Sequence, residues 1–341
     1  MSSFDVRLYE PGDEVGILEL FNRVFAEGNP AYVPRTMDVW KHIYEANPAG
    51  HEILVATDET GAIIANYSAI PTHCNVKGQR LRCAQAVDTC VAPEWRGSLR
   101  RNSVFVTIAK RYVEVFGNTH PEYTNEYMFG LPNEKAFPVG TRIIGYKPVH
   151  CPLMRQVKLA DEAWIDDLAA RAEGVEVVEL GGSDDDLALL EALYLEHLPE
   201  TPLAAWKDAA HLAWRYRDWP GVDYRCLLAR RHGRPAAAMV FRLGWMGQPI
   251  VPLVDWIGAG SDPALLAGLI AAVGGLALQA GGRHLETWAT PGMPHRASLL
   301  ELGFGEEPSP FNLCIMDFSE HFEFEWAKAH WILTMGDSDI Y

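Results

Sequence analysis

The residues best placed to do chemistry lie in one short stretch of the chain. Asp88 and Cys90 precede Pro93, and Arg96, Gly97 and Ser98 follow it. A strand that passes through a tight connection into a helix points the helix's unpaired N–H groups, and the positive end of its dipole, at one point. The stretch therefore predicts an anion site, with an ordinary strand, turn and helix carrying solvated arginines as the alternative.

Two elements must position these side chains. Residues 86–91 form a short β-branched and apolar run that ends before Pro93, which has no N–H to give to a sheet. The following helix is predicted over about 101–115, because apolar residues recur there about every 3.6 positions. The positions that carry this recurrence are Val104, Ile108, Tyr112 and Val115.

The sequence VDTCVAPEWRG, followed by this amphipathic helix, resembles the acyl-CoA-binding motif of the GNAT (Gcn5-related N-acetyltransferase) superfamily. Arg96 and Gly97 match the start of the family's R/Q-x-x-G-x-G/A pattern, whereas Leu99 and Arg101 replace its later glycines. The resemblance implies an acyl-CoA, such as acetyl-CoA, as co-substrate. It also implies cofactor-binding roles, which would fall to Val91, Arg96, Gly97, Ser98, Arg101 and Asn133.

The segment after the central helix extends the resemblance. A strand over 127–130 is followed by Asn133 and Ala136, as in GNAT domains whose fourth and fifth strands splay around the thioester arm. In many family members a tyrosine four residues beyond that alanine protonates the leaving thiolate, but Gly140 stands there. Tyr146 is the tyrosine nearest to it, so the usual general acid is absent or is supplied from elsewhere.

Four residues are candidates for the reaction centre. By the resemblance, the backbone N–H of Val91 or Cys90 polarises the thioester carbonyl. Asp88 or His73 could accept the proton of the amine, although a paired structural aspartate and an ordinary loop histidine are alternatives. The Cys90 thiol could act as a nucleophile, but buried thiols are commonly inert.

Aromatic residues of the first half are candidates for the wall of an amine pocket. Trp40 and Tyr44 lie one helical turn apart in a predicted helix that stops at Asn47-Pro48. Aromatic side chains at that spacing are also typical of a core. The sequence leaves both interpretations open.

The second half of the chain repeats landmarks of the first, about 160–175 residues later. The echoes pair Trp40 and Tyr44 with Trp214 and Tyr216, Asp88 with Asp255, and Gly145 with Gly303. Ser261 or Asp262 should cap the helix that begins at Pro263, and an acidic cap would repel phosphate. The second half is therefore predicted not to hold the cofactor.

This duplication predicts two GNAT-like α/β domains in tandem, of α+β type, each a mixed and mostly antiparallel sheet flanked by helices. The predicted boundaries are 1–160 for the active domain, 161–182 for a linker, 183–318 for the second domain and 319–341 for an aromatic tail packed on the body.

Composition restricts the partners. The chain has 341 residues and a net charge of −16, which argues against nucleic acid and suits a small amine. The six cysteines are scattered without metal-binding spacing, so no metal is expected. No signal peptide is visible and the apolar run 264–280 is short for a membrane span, which together predict a cytoplasmic protein, as a monomer or homodimer.

Three hypotheses follow for the function. The first is an acyl-CoA-dependent N-acyltransferase in which a small amine, such as an amino sugar or a natural-product amine, attacks the thioester directly. The second keeps the fold but takes aminoacyl-tRNA as donor, as Fem-like transferases do. The third is a GNAT-like pair that binds a ligand without catalysis.

Overall fold

The computed structural model describes residues 3–96, 103–117, 124–149 and 154–341. The described chain divides into two compact units. The first unit comprises Met1–His73, Leu81–Val149 and Phe311–Glu323. The second comprises Cys74–Arg80, His150–Pro310 and Phe324–Tyr341.

The residues described up to position 149 form six strands and four α-helices. They are β1 (Phe4–Leu8), α1 (Asp13–Ala26), α2 (Met37–Tyr44), β2 (Glu52–Asp58), β3 (Ile63–Val76), β4 (Gln79–Val91), α3 (Val104–Phe116), β5 (Tyr127–Gly130), α4 (Phe137–Val139) and β6 (Lys147–Pro148). The predicted strand 86–91 is the second half of β4. Its first half carries Gln79, Arg80 and Arg82, so it lacks the apolar run that marks a buried strand.

Residues 154–341 form nine strands and six α-helices. They are β7 (Met154–Leu159), α5 (Glu162–Arg171), β8 (Val175–Leu180), α6 (Asp184–Glu196), β9 (Leu203–Ala205), α7 (Ala209–Leu212), β10 (Arg225–Arg231), β11 (Arg234–Phe241), β12 (Ile250–Gly258), α8 (Pro263–Gln279), β13 (His284–Trp288), α9 (Arg296–Glu301), β14 (Gly305–Pro308), β15 (Cys314–Asp317) and α10 (Phe324–His330). The segment 161–182, predicted as a linker, thus forms α5 and β8.

The two sheets have matching strand orders. The first runs β1-β2-β3-β4-β5-β15-β6, with β9 paired to the far end of β3, and the second runs β14-β7-β13-β12-β11-β10-β8. In each sheet one central pair is parallel, β4 with β5 and β12 with β13, and the other described pairings are antiparallel. The predicted fold class, two mixed and mostly antiparallel sheets flanked by helices, is confirmed.

Besides β9, which pairs with β3 in the first sheet, each sheet takes one strand from outside its own half of the sequence. β15 follows β14 in the chain, yet it pairs with β5 and β6 in the first sheet. Conversely, β7 follows β6 and pairs with β13 and β14 in the second sheet. The two halves have therefore exchanged their last strands.

Helices cover the sheets through apolar faces that the sequence pattern predicts. α3 is capped by Ser103, whose Oγ accepts from the N–H of Val106, and it buries Ile108, Tyr112 and Phe116 in the first core. α8 is buried nearly all round in the second core. In the part of the chain that the structure describes, no helix combines the length and apolarity needed to cross a bilayer.

Candidate functional site

The parallel pair β4 and β5 separates at its C-terminal end. Their pairing runs from Cys83 opposite Tyr127 to Ala86 opposite Gly130, where β5 ends. β4 continues to Val91. The backbone of Asp88 has a φ of 53°, a left-handed conformation that is uncommon for a residue with a side chain and that bends a strand as a bulge does. We call the stretch of β4 at residues 87–91, which extends beyond the end of β5, the β4–β5 opening.

Two buried polar side chains of β3 support this bend. The Asn66 amide donates to the Asp88 carbonyl oxygen at 3.1 Å, and the Ser68 hydroxyl donates to the Asn66 side-chain oxygen at 2.9 Å. Beyond the bend, the Ala92 N–H donates to the carbonyl of Ile64 at 2.8 Å. The carbonyl of Asp88 therefore has a hydrogen-bond donor in the Asn66 side chain, as a buried backbone carbonyl requires.

The Asp88 carboxylate is held by two groups from the α1–α2 region. Arg35 forms an ion pair with it, and the Tyr44 hydroxyl donates to it at 2.6 Å. The Arg35 guanidinium also lies over the Phe21 ring, 4.1 Å from its centroid. Burial and the Asp88 charge raise the pKa of Tyr44 well above its usual value, so Tyr44 remains a hydrogen-bond donor.

The loop that presents Arg35 is fixed by one side chain of α1. The side-chain oxygen of Asn22 accepts from the Tyr32 hydroxyl at 2.6 Å and from the Arg35 N–H at 2.9 Å. Its amide donates to the Arg35 carbonyl at 3.0 Å. The position of Arg35 is therefore set on both sides of its backbone.

The second unit contains the same arrangement. Lys207 forms a buried ion pair with Asp255, and the Tyr216 hydroxyl donates to the other carboxylate oxygen at 2.7 Å. The N–H of Trp256 also donates to Asp255, at 2.8 Å. β12 also has a bulge near Asp255, shown by the shift in its register with β11 between Val240 and Phe241.

Sequence analysis matched the tyrosines and the aspartates but missed the cations. The signal was present, because each cation directly precedes a helix-capping residue and lies nine positions before its tyrosine (44 − 35 and 216 − 207). The matched pairs are Arg35 and Lys207, Thr36 and Asp208, Tyr44 and Tyr216, and Asp88 and Asp255.

Arg96 is bound to the end of β4. Its Nε donates to the carbonyl of Val91 at 2.8 Å, and its Nη1 contacts Glu27 at 2.6 Å. These bonds tie the connection after β4 to the strand end, and the Arg96 side chain is 40% exposed. Gly97, Ser98 and Arg101, predicted to bind the cofactor, lie outside the described residues.

The helix N-termini of the two halves differ in charge. α3 begins with the neutral cap Ser103. α8 begins with Asp262, whose Oδ1 accepts from the N–H groups of Ala264 and Leu265 at 3.0 and 3.3 Å. Arg231 binds the same carboxylate through two nitrogens, at 2.5 and 3.1 Å. The N-terminus of α8 is therefore occupied by a carboxylate of the protein itself. The N-terminus of α3 carries only the neutral hydroxyl of Ser103.

The remaining predicted residues have varied surroundings. Burial raises the pKa of the Cys90 thiol to about 12, so the thiol is protonated at neutral pH. The side-chain oxygen of Asn133 accepts from the N–H groups two and three residues on, at 3.0 and 2.9 Å. His73 lies half-buried in β3, and Trp40 and Tyr44 are core residues with ring centroids 5.1 Å apart.

Tyr146 lies in the core rather than on the surface. Its hydroxyl is 3.3 Å from that of Tyr67, and both side chains are buried. Burial raises the pKa of Tyr67 to about 12 and that of Tyr146 well above its usual value, so both keep their protons at neutral pH.

Comparison with known proteins agrees with this geometry. Residues 5–111 match the family model described as an acetyltransferase (GNAT) domain. No curated protein matches the chain.

Similar solved structures span nearly the whole chain. A protein of Enterococcus faecalis V583 described as a probable N-acyltransferase has a TM-score of 0.64 at 12% identity, covering 94% of this chain and 73% of its own. A GCN5-related N-acetyltransferase of Anabaena variabilis scores 0.62 at 11% identity, with 93% and 73% covered. N-myristoyltransferase of Saccharomyces cerevisiae, with bound myristoyl-CoA and inhibitors, scores 0.57 at 15% identity, with 94% and 80% covered.

At these identities the solved structures show a shared fold, and the family model adds the match in sequence. The chain therefore matches a GNAT acetyltransferase domain over residues 5–111 and shares the fold of these acyltransferase structures over nearly its whole length.

Proposed function

We propose that this protein transfers an acyl group, most simply acetyl, from an acyl-CoA to the amino group of a small molecule. The observation that carries the proposal is the β4–β5 opening, in which β4 runs beyond its last paired residue, Ala86, and connects to the start of α3. A thioester laid along this strand end would lie against the backbone of β4 where β5 no longer pairs with it, and the adenine nucleotide end would approach a helix N-terminus with a neutral cap.

In this proposal the backbone N–H of Val91 or Cys90 polarises the thioester carbonyl. The amine nitrogen attacks the carbonyl carbon, the carbon–sulfur bond breaks, and the thiolate of CoA leaves with a proton. Because Arg35 and Tyr44 already bind the Asp88 carboxylate, we assign Asp88 to holding the bend, and proton removal from the amine to water or to His73.

The acyl chain and the amine are the variable parts. One structural neighbour is described with myristoyl-CoA and others as acetyltransferases, so the donor test needs a range of chain lengths. The net charge of −16 favours an amine as the acceptor and argues against aminoacyl-tRNA as the donor.

Titration calorimetry with acetyl-, hexanoyl- and myristoyl-CoA tests the donor. We expect at least one of the three acyl-CoAs to bind saturably. With the acyl-CoA that binds, detection of free thiol should show faster release of CoA when an amine is present than when it is absent. Arg96→Ala should weaken binding, whereas Arg111→Ala, an exposed arginine on α3 paired with Glu114, should not. If no acyl-CoA binds the folded protein at millimolar concentration, the proposal fails.

A further inference from the structure

Four strands lie at the ends of the strand orders of the two sheets: β1 and β6 in the first, β14 and β8 in the second. An edge strand offers unpaired backbone groups to any other extended chain, and proteins protect such strands by short length, proline or charge. Three of these four strands are protected in this way. β6 has two residues and includes Pro148, β14 contains Glu306 and Pro308, and β8 exposes Glu176 and Glu179.

The fourth strand, β1, has no proline, and its backbone groups on one side point away from β2. In an antiparallel pair every second residue bonds to the neighbouring strand, and the residues between them turn their N–H and C=O groups to the other side. The N–H of Tyr9 donates to the carbonyl of Ile53 at 3.1 Å, one step beyond the last paired residue of β1. The backbone groups of Phe4, Val6 and Leu8 therefore face the open edge.

This edge is accessible. An open groove of about 440 Å³ lies between β1 and α3, with Val6 on the strand side and Lys110 on the helix side. Leu8, at the end of the edge, is 44% exposed. Nη1 of Arg7 donates to the Leu8 carbonyl at 3.0 Å. Because a carbonyl oxygen has two lone pairs, that group can still accept a hydrogen bond from another strand.

The charges of β1 select one way to pair two copies of this strand. With Val6 opposite Val6 of a second copy, all five residues pair, and Asp5 of each copy lies opposite Arg7 of the other. Sliding one strand by two residues leaves three paired residues and places either Asp5 opposite Asp5 or Arg7 opposite Arg7. Because opposite charges directly across a sheet stabilise it and like charges destabilise it, the register centred on Val6 is favoured.

We propose that the edge of β1 binds β1 of a second copy of this chain, antiparallel and centred on Val6, so that two first sheets form one continuous sheet. The Arg7 guanidinium is already held by Asp13, at 2.6 and 2.9 Å, while its side chain stays 31% exposed. Little side-chain entropy is therefore lost when Arg7 meets Asp5 of the other copy. Five residues on each strand make a small contact, so we expect a weak dimer.

β2 and β3 separate β1 from the β4–β5 opening, so this proposal does not depend on the proposed function. Sedimentation velocity of the full chain, from micromolar to millimolar concentration, should show a reversible equilibrium between monomer and dimer. Asp5→Lys, at an exposed position, should weaken the dimer at least tenfold, because it places a lysine opposite Arg7. Glu176→Lys makes the same change in net charge on the exposed side of β8 and should leave the dimer unchanged.

A parent protein that stays monomeric at millimolar concentration would overturn the proposal. So would a dimer of undiminished affinity in the folded Asp5→Lys variant, because that dimer would use another surface.

A disulfide tests the register. Asp5→Cys and Arg7→Cys proteins, mixed and oxidised, should form a cross-link between positions 5 and 7, because Cα atoms at directly opposite non-bonded positions are about 4.5 Å apart. Each mixed pair keeps one contact between Asp5 and Arg7. Asp5→Cys alone should not cross-link, because two copies of position 5 are diagonal, about 7–8 Å apart. Peptide mass spectrometry assigns the joined positions. Equal cross-linking of Asp5→Cys alone would exclude this register.

Discussion

Asp88 holds a strand in a conformation that its backbone alone would rarely adopt. Its φ of 53° is compensated by Asn66 at the carbonyl and by Arg35 and Tyr44 at the carboxylate. The second unit repeats the aspartate, the tyrosine and a cation, although its helix N-terminus is already filled by Asp262. The same trio thus recurs in a unit whose helix α8 already has the Asp262 carboxylate at its N-terminus. This recurrence supports a structural role for the trio in both units.

Replacement of Asp88 by Asn should destabilise the protein by about 3 kcal/mol, because it leaves the Arg35 charge largely buried without its partner. The free energy of unfolding in urea measures this loss. The control is Asp5→Asn, an exposed aspartate on β1, which should change stability by less than about 0.5 kcal/mol. A similar small change in Asp88→Asn would show that the ion pair is not important for stability.

The thiol of Cys90 should be unreactive in the folded protein. Burial raises its pKa to about 12, so almost no thiolate exists between pH 7 and 9, and alkylation by iodoacetamide should be about a hundredfold slower than in urea. Peptide mass spectrometry at each pH measures the rate at this cysteine. The reactivity should begin to rise only as the pH approaches 12. An acylated Cys90 after incubation with acyl-CoA would instead indicate a covalent route.

At the scale of elements, α3 and α8 differ in the charge of their N-caps. Both helices follow a strand that has a parallel neighbour, and both are capped at the N-terminus. Ser103 caps α3 without charge, whereas Asp262 brings a carboxylate to α8 and Arg231 holds it there. A pyrophosphate is therefore compatible with the first helix and is repelled at the second.

Ser103→Asp should separate helix stability from cofactor binding. Aspartate caps a helix about as well as serine, so stability should change by less than about 0.5 kcal/mol. The added charge should weaken acyl-CoA binding about tenfold, with a smaller effect at high salt. Calorimetry measures the affinity. Ser183→Asp, the same change at the N-cap of α6, is the matched control and should leave affinity unchanged. Equal affinity in the two variants would argue against a phosphate near α3.

At the scale of the whole molecule, the exchanged strands join the two halves through the chain. β15 lies in the first sheet between β5 and β6, and β7 lies in the second between β13 and β14. Neither sheet is complete without residues from the other half of the sequence. A cut between the halves at residue 160 would therefore remove β15 from the first sheet.

Hydrogen exchange should reveal this connectivity. The amides of β15 should exchange with the same opening free energy as those of β5, to which they are bonded, and not with those of β14, which is nearer in sequence. Native-state exchange over a urea series, read by mass spectrometry, measures this. The β13 and β7 amides, paired in the second sheet, provide the internal reference. Grouping of β15 with β14 would contradict the exchanged arrangement.

Much of the fold could be read from local patterns. The bounds of β5 and the start of α8 were predicted where the structure has them, because a β-rich run and a Pro after an acidic cap are local signals. The echoes of Tyr44 and Asp88 were also visible, since duplicated units keep the spacing of residues that contact each other. Each of these features depends on neighbours in sequence or on repetition of spacing.

The sequence by itself thus determined the elements, their duplication and the GNAT-like strand and helix around Asp88. Only the tertiary structure decided that Arg35 and Lys207 pair with the two aspartates and that β7 and β15 change sheets. Helical periodicity and helix capping involve residues a few positions apart, so they can be recognised in a short stretch of sequence. The choice of partner between groups far apart in the sequence depends instead on which apolar groups are buried and which charges are paired in the folded chain.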